Sequence, residues 1–375
     1  IHEACVAIGP VVTPVPWWCD GGGTRPVPSY QGYRYIADVL ASQGRVVVSI
    51  SANGITAIDG SSALVDLEKT MQARANLVLH HLRTLRTANL TGVKGIGQLL
   101  VGHLNLQRTL LIGHSRGGEG MVVAAQQLER MINPPARVSG VINLAPSAII
   151  RTAPANTPTM TLLPACDGDM RSLAGQTYVD RGRDLYGANG PLRTTVWFAG
   201  GNHNHLNTEW TPGLSTSDTG RDDAEITYPD LPSSGSCRPA QRITAAEARR
   251  LALAYAAAFA RWTQDANPAM LPLLDGTGTV PLPVAQDKVR VRVSSLAGPD
   301  RLLATPTQQT PIASTGISAE LCNGSEVPAD DPKYATYCGY GRVNLGHDTS
   351  WLGLPLSGLA VPGRTAARLS WSNSG

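Results

Sequence analysis

Thr109-Leu110-Leu111-Ile112-Gly113-His114-Ser115-Arg116-Gly117-Gly118 sets an apolar run directly against a serine flanked by glycines. A short continuous apolar run bounded by glycine predicts a buried strand, here 109–112. Residues 116–131 have helical spacing, so the serine falls at the handover from strand to helix. In a Gly-x-Ser-x-Gly segment so placed, a sharp turn lifts the hydroxyl above the sheet, and small flanking residues let the backbone fold that tightly. The same turn puts Ser115 at a helix N-terminus, where unpaired N–H groups and the dipole favour developing negative charge. The Arg116 N–H becomes one expected oxyanion donor. Pentapeptides of this form also arise by chance in Gly-rich turns; the strand–motif–helix order distinguishes this one.

Outward from the motif, strands and helices alternate. The β-branched run 45–50 predicts a strand covered on both faces. A helix over 65–88 offers Leu67, Met71, Leu77, Leu82 and Leu85 to a buried stripe. Further strands are expected at 138–144, 159–163 and 194–198, with a helix over about 172–186. A helix at 244–264 opens on Thr244 with Glu247 three residues on, the spacing of a capping box. This order predicts an α/β fold, a doubly wound, mostly parallel sheet with helices on both faces. From about residue 270 the texture changes to Pro, Gly, Ser and short β-branched runs such as 289–293. We therefore expect two units, a catalytic domain over 1–268 and a smaller β-rich accessory domain, with a β-sandwich as its candidate form, over 269–375. The polar stretch 207–242 reads as a lid or a surface excursion.

The chain has 375 residues, 42% hydrophobic and 16% charged, with a formal net charge of +3. That charge is too small to recruit nucleic acid, and lysine occurs only at 69, 94, 288 and 333. No apolar run is long enough to span a bilayer. The six cysteines lack zinc spacing, and sequence-near pairing predicts disulfides 5–19, 166–237 and 322–338 in an oxidising, extracytoplasmic compartment. Buried thiols in a reducing compartment are the alternative. The chain starts at Ile1 rather than Met, and we expect earlier strands upstream, because a doubly wound sheet without them exposes a raw edge.

A serine hydroxyl needs a base, and the base needs an orienting acid. In this topology the two follow later strands in the order acid, then histidine. After strand 159–163 the sequence offers Asp167 and Asp169, and after 194–198 it offers His203 and His205. His80 and His81 fall in a helix, His103 precedes a strand, His114 is the motif's own variable position, and His347 lies in the C-terminal part.

These segments, from about Tyr35 to Trp262, resemble the α/β-hydrolase superfamily. Within it they are similar to the dienelactone-hydrolase-like branch that includes bacterial polyester hydrolases and platelet-activating-factor acetylhydrolases. The resemblance rests on the stretches 36–50, 110–118, 142–146, 162–169 and 200–205. It implies a secreted serine hydrolase of carboxylic esters, small or polymeric, with Ser115 as nucleophile, His203 as base and Asp169 as acid. Asp167 and His205 are the alternative pair. The second oxyanion donor is expected from Ile1 or Ala4. Neither cofactor nor metal is expected, and the oligomeric state is left open. Polyester hydrolases of this branch carry an aromatic residue, usually Trp, after the Ala-Pro step; here Ala145-Pro146 is followed by Ser147. Trp17, Trp18, Tyr30, Tyr33 and Trp210 are candidates for the mouth of the site. Arg116 and Glu119 are spaced to pair on the helix surface. Two rival readings are a metal-dependent hydrolase chelating through His203 and His205, and a catalytically silent binding protein on the same scaffold.

Overall fold

The computed structural model describes residues 4–7, 19, 24–59, 67–150, 152–170, 173–186, 190–214, 240, 242–278, 289–296, 318–324 and 364–370. Its centre is a five-stranded sheet in the order β3 (Thr109–His114), β4 (Val138–Leu144), β5 (Thr159–Pro164), β6 (Arg193–Phe198) and β7 (Val291–Leu296). The first four run parallel; β7 closes the far edge antiparallel to β6. Two shorter antiparallel pairs stand beside it in the sequence, β1 (Cys5–Ala7) with β2 (Thr24–Pro26) and β8 (Ser318–Gly324) with β9 (Arg364–Ser370).

Both sheet faces are covered, which is why the strands read as apolar runs rather than as alternating ones. On one face Ile142, Leu144, Met160, Leu162, Val196 and Phe198 meet α1 (Arg34–Ser42) and α6 (Ala245–Asp265), with Leu274 of α7 (Leu271–Asp275). On the other, Leu111 and Val141 meet α3 (Leu67–Thr91), α4 (Arg116–Arg130) and Tyr178 of α5 (Thr177–Tyr186). The buried face of α3 includes Met71, Val78, Leu79 and Leu82, whereas Leu77 and Leu85 are only half-buried. Thr244 caps α6 through a complete capping box with Glu247. At Gly140 of β4 a Cβ atom would meet the Phe259 ring at 2.6 Å, so the absence of a side chain sets how closely α6 approaches the sheet.

Parallel neighbours need a crossover, yet among the described residues no helix lies between β4 and β5. Charged side chains pin that connection instead. Glu129 of α4 accepts from the N–H groups of Ala155 and Asn156 and from the Thr157 hydroxyl. Arg193, 1% exposed at the start of β6, donates to the carbonyls of Pro154 and Ala155.

Two expectations need correcting. Residues 45–50 do not form a strand: Val46, Val47 and Val48 are exposed, and backbone groups of 46–50 make no hydrogen bond among the described residues. β-Branched composition suits a strand, but pairing makes one, and a cavity of about 660 Å³ separates this segment from the open edge of β3. Residues 291–296 lie beyond the expected boundary at 268, yet they pair with β6 and extend the main sheet.

The Cys5–Cys19 disulfide is present, and Cys166 is disulfide-bonded as well. The expected partners Cys237 and Cys338 fall outside the described residues, as does most of the stretch 207–242. No helix among the described residues is long and apolar enough to cross a membrane. In urea denaturation, Phe259→Ala is expected to lower the unfolding free energy by about 3–5 kcal/mol through the cavity it leaves. Thr244→Ala should cost about 1 kcal/mol, the worth of one N-cap.

Candidate active site

Four parallel strands deliver their C-terminal ends to one edge of the sheet, and the candidate residues sit just past three of them. Ser115, between β3 and α4, has φ 55° and ψ −132°, a conformation that non-glycine residues rarely hold. Three backbone bonds keep it there: its N–H donates to the Leu144 carbonyl at 2.9 Å, and its carbonyl accepts from Gly118 at 2.9 Å and Ser147 at 3.3 Å. A Cβ atom at Gly113 would lie 2.3 Å from the Gly117 carbonyl oxygen, so this turn closes only with glycine at that position. The Arg116 N–H belongs to the first turn of α4, ahead of the first internal hydrogen bond of the helix.

The loops after β5 and β6 are joined by two backbone bonds, Ala165 to Phe198 and Cys166 to Gly201. That juncture brings Asp167 to His203. Asp167 Oδ2 lies 2.8 Å from His203 Nδ1, with the two side chains 1% and 0% exposed. The other carboxylate oxygen of Asp167 accepts from the N–H groups of Asp169 and Met170. Asp169 Oδ2 lies 3.4 Å from His203 Nε2, on the opposite edge of the ring. The Nδ1 partner is thus Asp167, the alternative acid of the sequence reading, and Asp169 faces the other nitrogen.

His203 is also held by rings. His114 lies 4.5 Å from it between centroids, Trp210 lies 4.8 Å from His114, and the planes of His203 and Trp210 are within 4° of parallel at 6.4 Å. Tyr33 Oη and His114 Nδ1 share a hydrogen bond of 3.0 Å. Burial, with His203 adding to it, pushes the His114 pKa well below its ordinary value, and burial raises that of the Tyr33 phenol. Trp210 donates from Nε1 to Ser29 Oγ, and Asn207 donates to the Ser29 carbonyl. A Cβ atom on Gly32 would sit 1.7 Å from Asn207 Oδ1, so the loop at 29–33 fits against 204–210 only through glycine. Sequence alone does not reveal the His114–Tyr33 pair; its one local signal is a polar ring closing an apolar strand.

Arg116 does not pair with Glu119. Its guanidinium reaches Asp59 of α2 (Asn53–Asp59) at 2.8 Å, sharing that carboxylate with Arg74 of α3, while Glu119, 1% exposed, accepts from the Ser147 hydroxyl and the Ile150 N–H, each at 2.6 Å. The two residues leave the helix toward different neighbours, so surface spacing misread both. Ser147, at the position where the resemblance implies an aromatic clamp, belongs to this buried network, and its carbonyl accepts from Tyr178.

Of the remaining candidates, the Ala4 carbonyl accepts from Val27 and from Asn53 Nδ2. Ile1, Trp17 and Trp18 fall outside the described residues. Tyr30 is 40% exposed. His205 accepts from Arg249 at its backbone carbonyl. Among the described residues no three His, Cys, Asp or Glu side chains are grouped as metal ligands. The cavity beside β3 opens onto His114, Ser115, Arg116 and Trp210. No protein-family model matches the chain, and none of the curated proteins is similar to it.

Because His114 is neutral in the fold, the unfolded chain binds one more proton below the ordinary histidine pKa of 6.5. Its contribution to stability is therefore complete above that pH and is lost as pH falls below it, with a slope of up to about 1.4 kcal/mol per pH unit. Unfolding free energies from urea titrations between about pH 6.5 and 5 should fall less steeply for His114→Gln than for the parent, by up to that slope.

Proposed function

We propose that the protein is a secreted serine hydrolase of carboxylic esters built on the α/β-hydrolase plan, with Ser115 as nucleophile, His203 as general base and Asp167 as orienting acid. The observation that carries the reading is the buried Asp167–His203 pair, packed against the ring of the residue that precedes a strained elbow serine. A buried imidazole with a carboxylate on Nδ1 offers the Nε2 lone pair as a base in its neutral form. A serine at positive φ between strand and helix is the geometry that exposes a nucleophile.

In the acylation half, Ser115 Oγ bonds to the ester carbonyl carbon as its proton passes to His203 Nε2. The carbonyl oxygen takes the negative charge beside the Arg116 N–H, where the α4 dipole adds to the stabilisation. Collapse breaks the carbon–oxygen bond to the alcohol, which leaves with the proton from Nε2. Water then repeats the sequence on the acyl-serine, releasing the acid and restoring Ser115. The second oxyanion donor belongs to the N-terminal loop, for which Ala4 stays the candidate among the described residues.

Ser147, engaged with Glu119, leaves no aromatic clamp at that position, so we assign esters generally rather than aromatic polyesters. The Cys5–Cys19 bridge fits an oxidising compartment, which supports the assignment to secretion. The β8–β9 pair fits a smaller β-rich accessory part toward the C-terminus.

A fluorophosphonate probe should label Ser115, and the label should vanish in Ser115→Ala. That variant should keep its thermal unfolding midpoint and lower kcat on a p-nitrophenyl acyl ester by more than about 10³-fold. Near-normal turnover by Ser115→Ala would sink the serine mechanism, and turnover abolished by a chelator without any labelling would favour a metal-dependent one.

A further inference from the structure

Two carboxylates address one imidazole. Asp167 and Asp169 are separated by a single glycine, and the loop they form clasps His203 from both edges, one carboxylate on each ring nitrogen. Asp167 has little freedom: one of its oxygens is committed to two backbone N–H groups and the other to Nδ1. Asp169 differs in setting. Its side chain is 22% exposed, and its nearest oxygen lies 3.4 Å from Nε2, the nitrogen to which the proposed mechanism sends the proton of Ser115.

A neutral imidazole carries only one N–H. With that hydrogen on Nδ1 toward Asp167, the lone pair of Nε2 points at the Asp169 carboxylate, an unfavourable meeting of two acceptors. Protonating Nε2 relieves it and satisfies both carboxylates together. The rings packed against it among the described residues bring no charge to oppose this: they are the Trp210 indole and His114, which is held neutral by burial.

We infer that Asp169 is a second positioning carboxylate, which holds a proton on His203 Nε2 in the resting site and stabilises the imidazolium formed when Ser115 attacks. The inference rests on the ester-hydrolase reading for its catalytic consequence, but the proton it places on the ring is a property of the resting protein. The ring must lose the Nε2 proton before it serves as a base, so Asp169 moves the onset of turnover to higher pH. Once attack begins, the same carboxylate favours the charged ring, so removing it also reduces the maximal rate. The fall is smaller than that caused by removing Asp167, because Asp167 alone fixes the tautomer.

The direct test is an NMR titration of the His203 imidazole in the intact protein and in Asp169→Asn, read alongside the pH profile of kcat/KM on p-nitrophenyl butyrate. An opposite charge at this distance moves a titration by about one unit or more, and partial exposure keeps it at the low end. We expect His203 in Asp169→Asn to titrate about one pH unit lower than in the parent, the rising limb of kcat/KM to shift by the same amount, and Asp169→Glu to restore most of both. Unchanged titration in Asp169→Asn overturns the proposal. So does a loss of about 10⁴-fold at every pH with an unmoved limb, which would make Asp169 the orienting acid. Failure of the hydrolase reading itself shows separately, as an unlabelled Ser115 in a protein whose His203 still titrates as expected.

Discussion

One residue held in a costly backbone conformation organises the site. Ser115 at φ 55° persists because Leu144 at the end of β4 receives its N–H while Gly118 and Ser147 donate to its carbonyl. Strain of this kind costs on the order of 1–3 kcal/mol and survives only where the surroundings over-determine it. Here the parallel pairing of β3 with β4 supplies the first bond and the opening turn of α4 the second. Displacing either strand end would release the elbow and, with it, the alignment of the α4 dipole on the nucleophile.

Charged side chains that do not react serve the same end. Asp59 joins Arg74 and Arg116, tying α2, α3 and the first turn of α4 together. Glu119 and Glu129, both on α4, collect the N–H groups of the connection between β4 and β5, and Arg193 collects its carbonyls from the far side. Buried backbone groups without partners are expensive, and a connection lacking a helix has many to satisfy. The α4 helix therefore both presents the serine at its N-terminus and anchors, along its length, the loop that carries Ser147 beneath it.

The alternating architecture was legible in the sequence where apolar periodicity and local partners agree. The strands at 109, 138, 159 and 194 and the capped helix at 245 emerge from pattern alone, since each buries both faces or carries its own cap. Residues 45–50 were misleading because composition reports compatibility with a strand and is silent about whether a neighbour completes the ladder. The edge strand β7 was hidden for the converse reason, its Val-Arg-Val alternation matching an exposed β-rich segment as well as a sheet margin. Which of two aspartates meets Nδ1 depends on a loop only a few residues long, where a one-residue change in path exchanges them. The Arg116–Asp59 and His114–Tyr33 pairs join residues 57 and 81 positions apart, a range over which spacing carries no information.

The near-parallel rings of His203 and Trp210 give the molecule an optical channel into its own chemistry. An indole π cloud responds to a positive charge placed over its face, and among the described tryptophans Trp210 is the one stacked with His203. Each appearance of charge on that imidazole is thereby coupled to the excited state of the Trp210 indole. The difference in emission between the parent and a Trp210→Phe variant isolates a signal that follows ionisation in real time, without label or substrate.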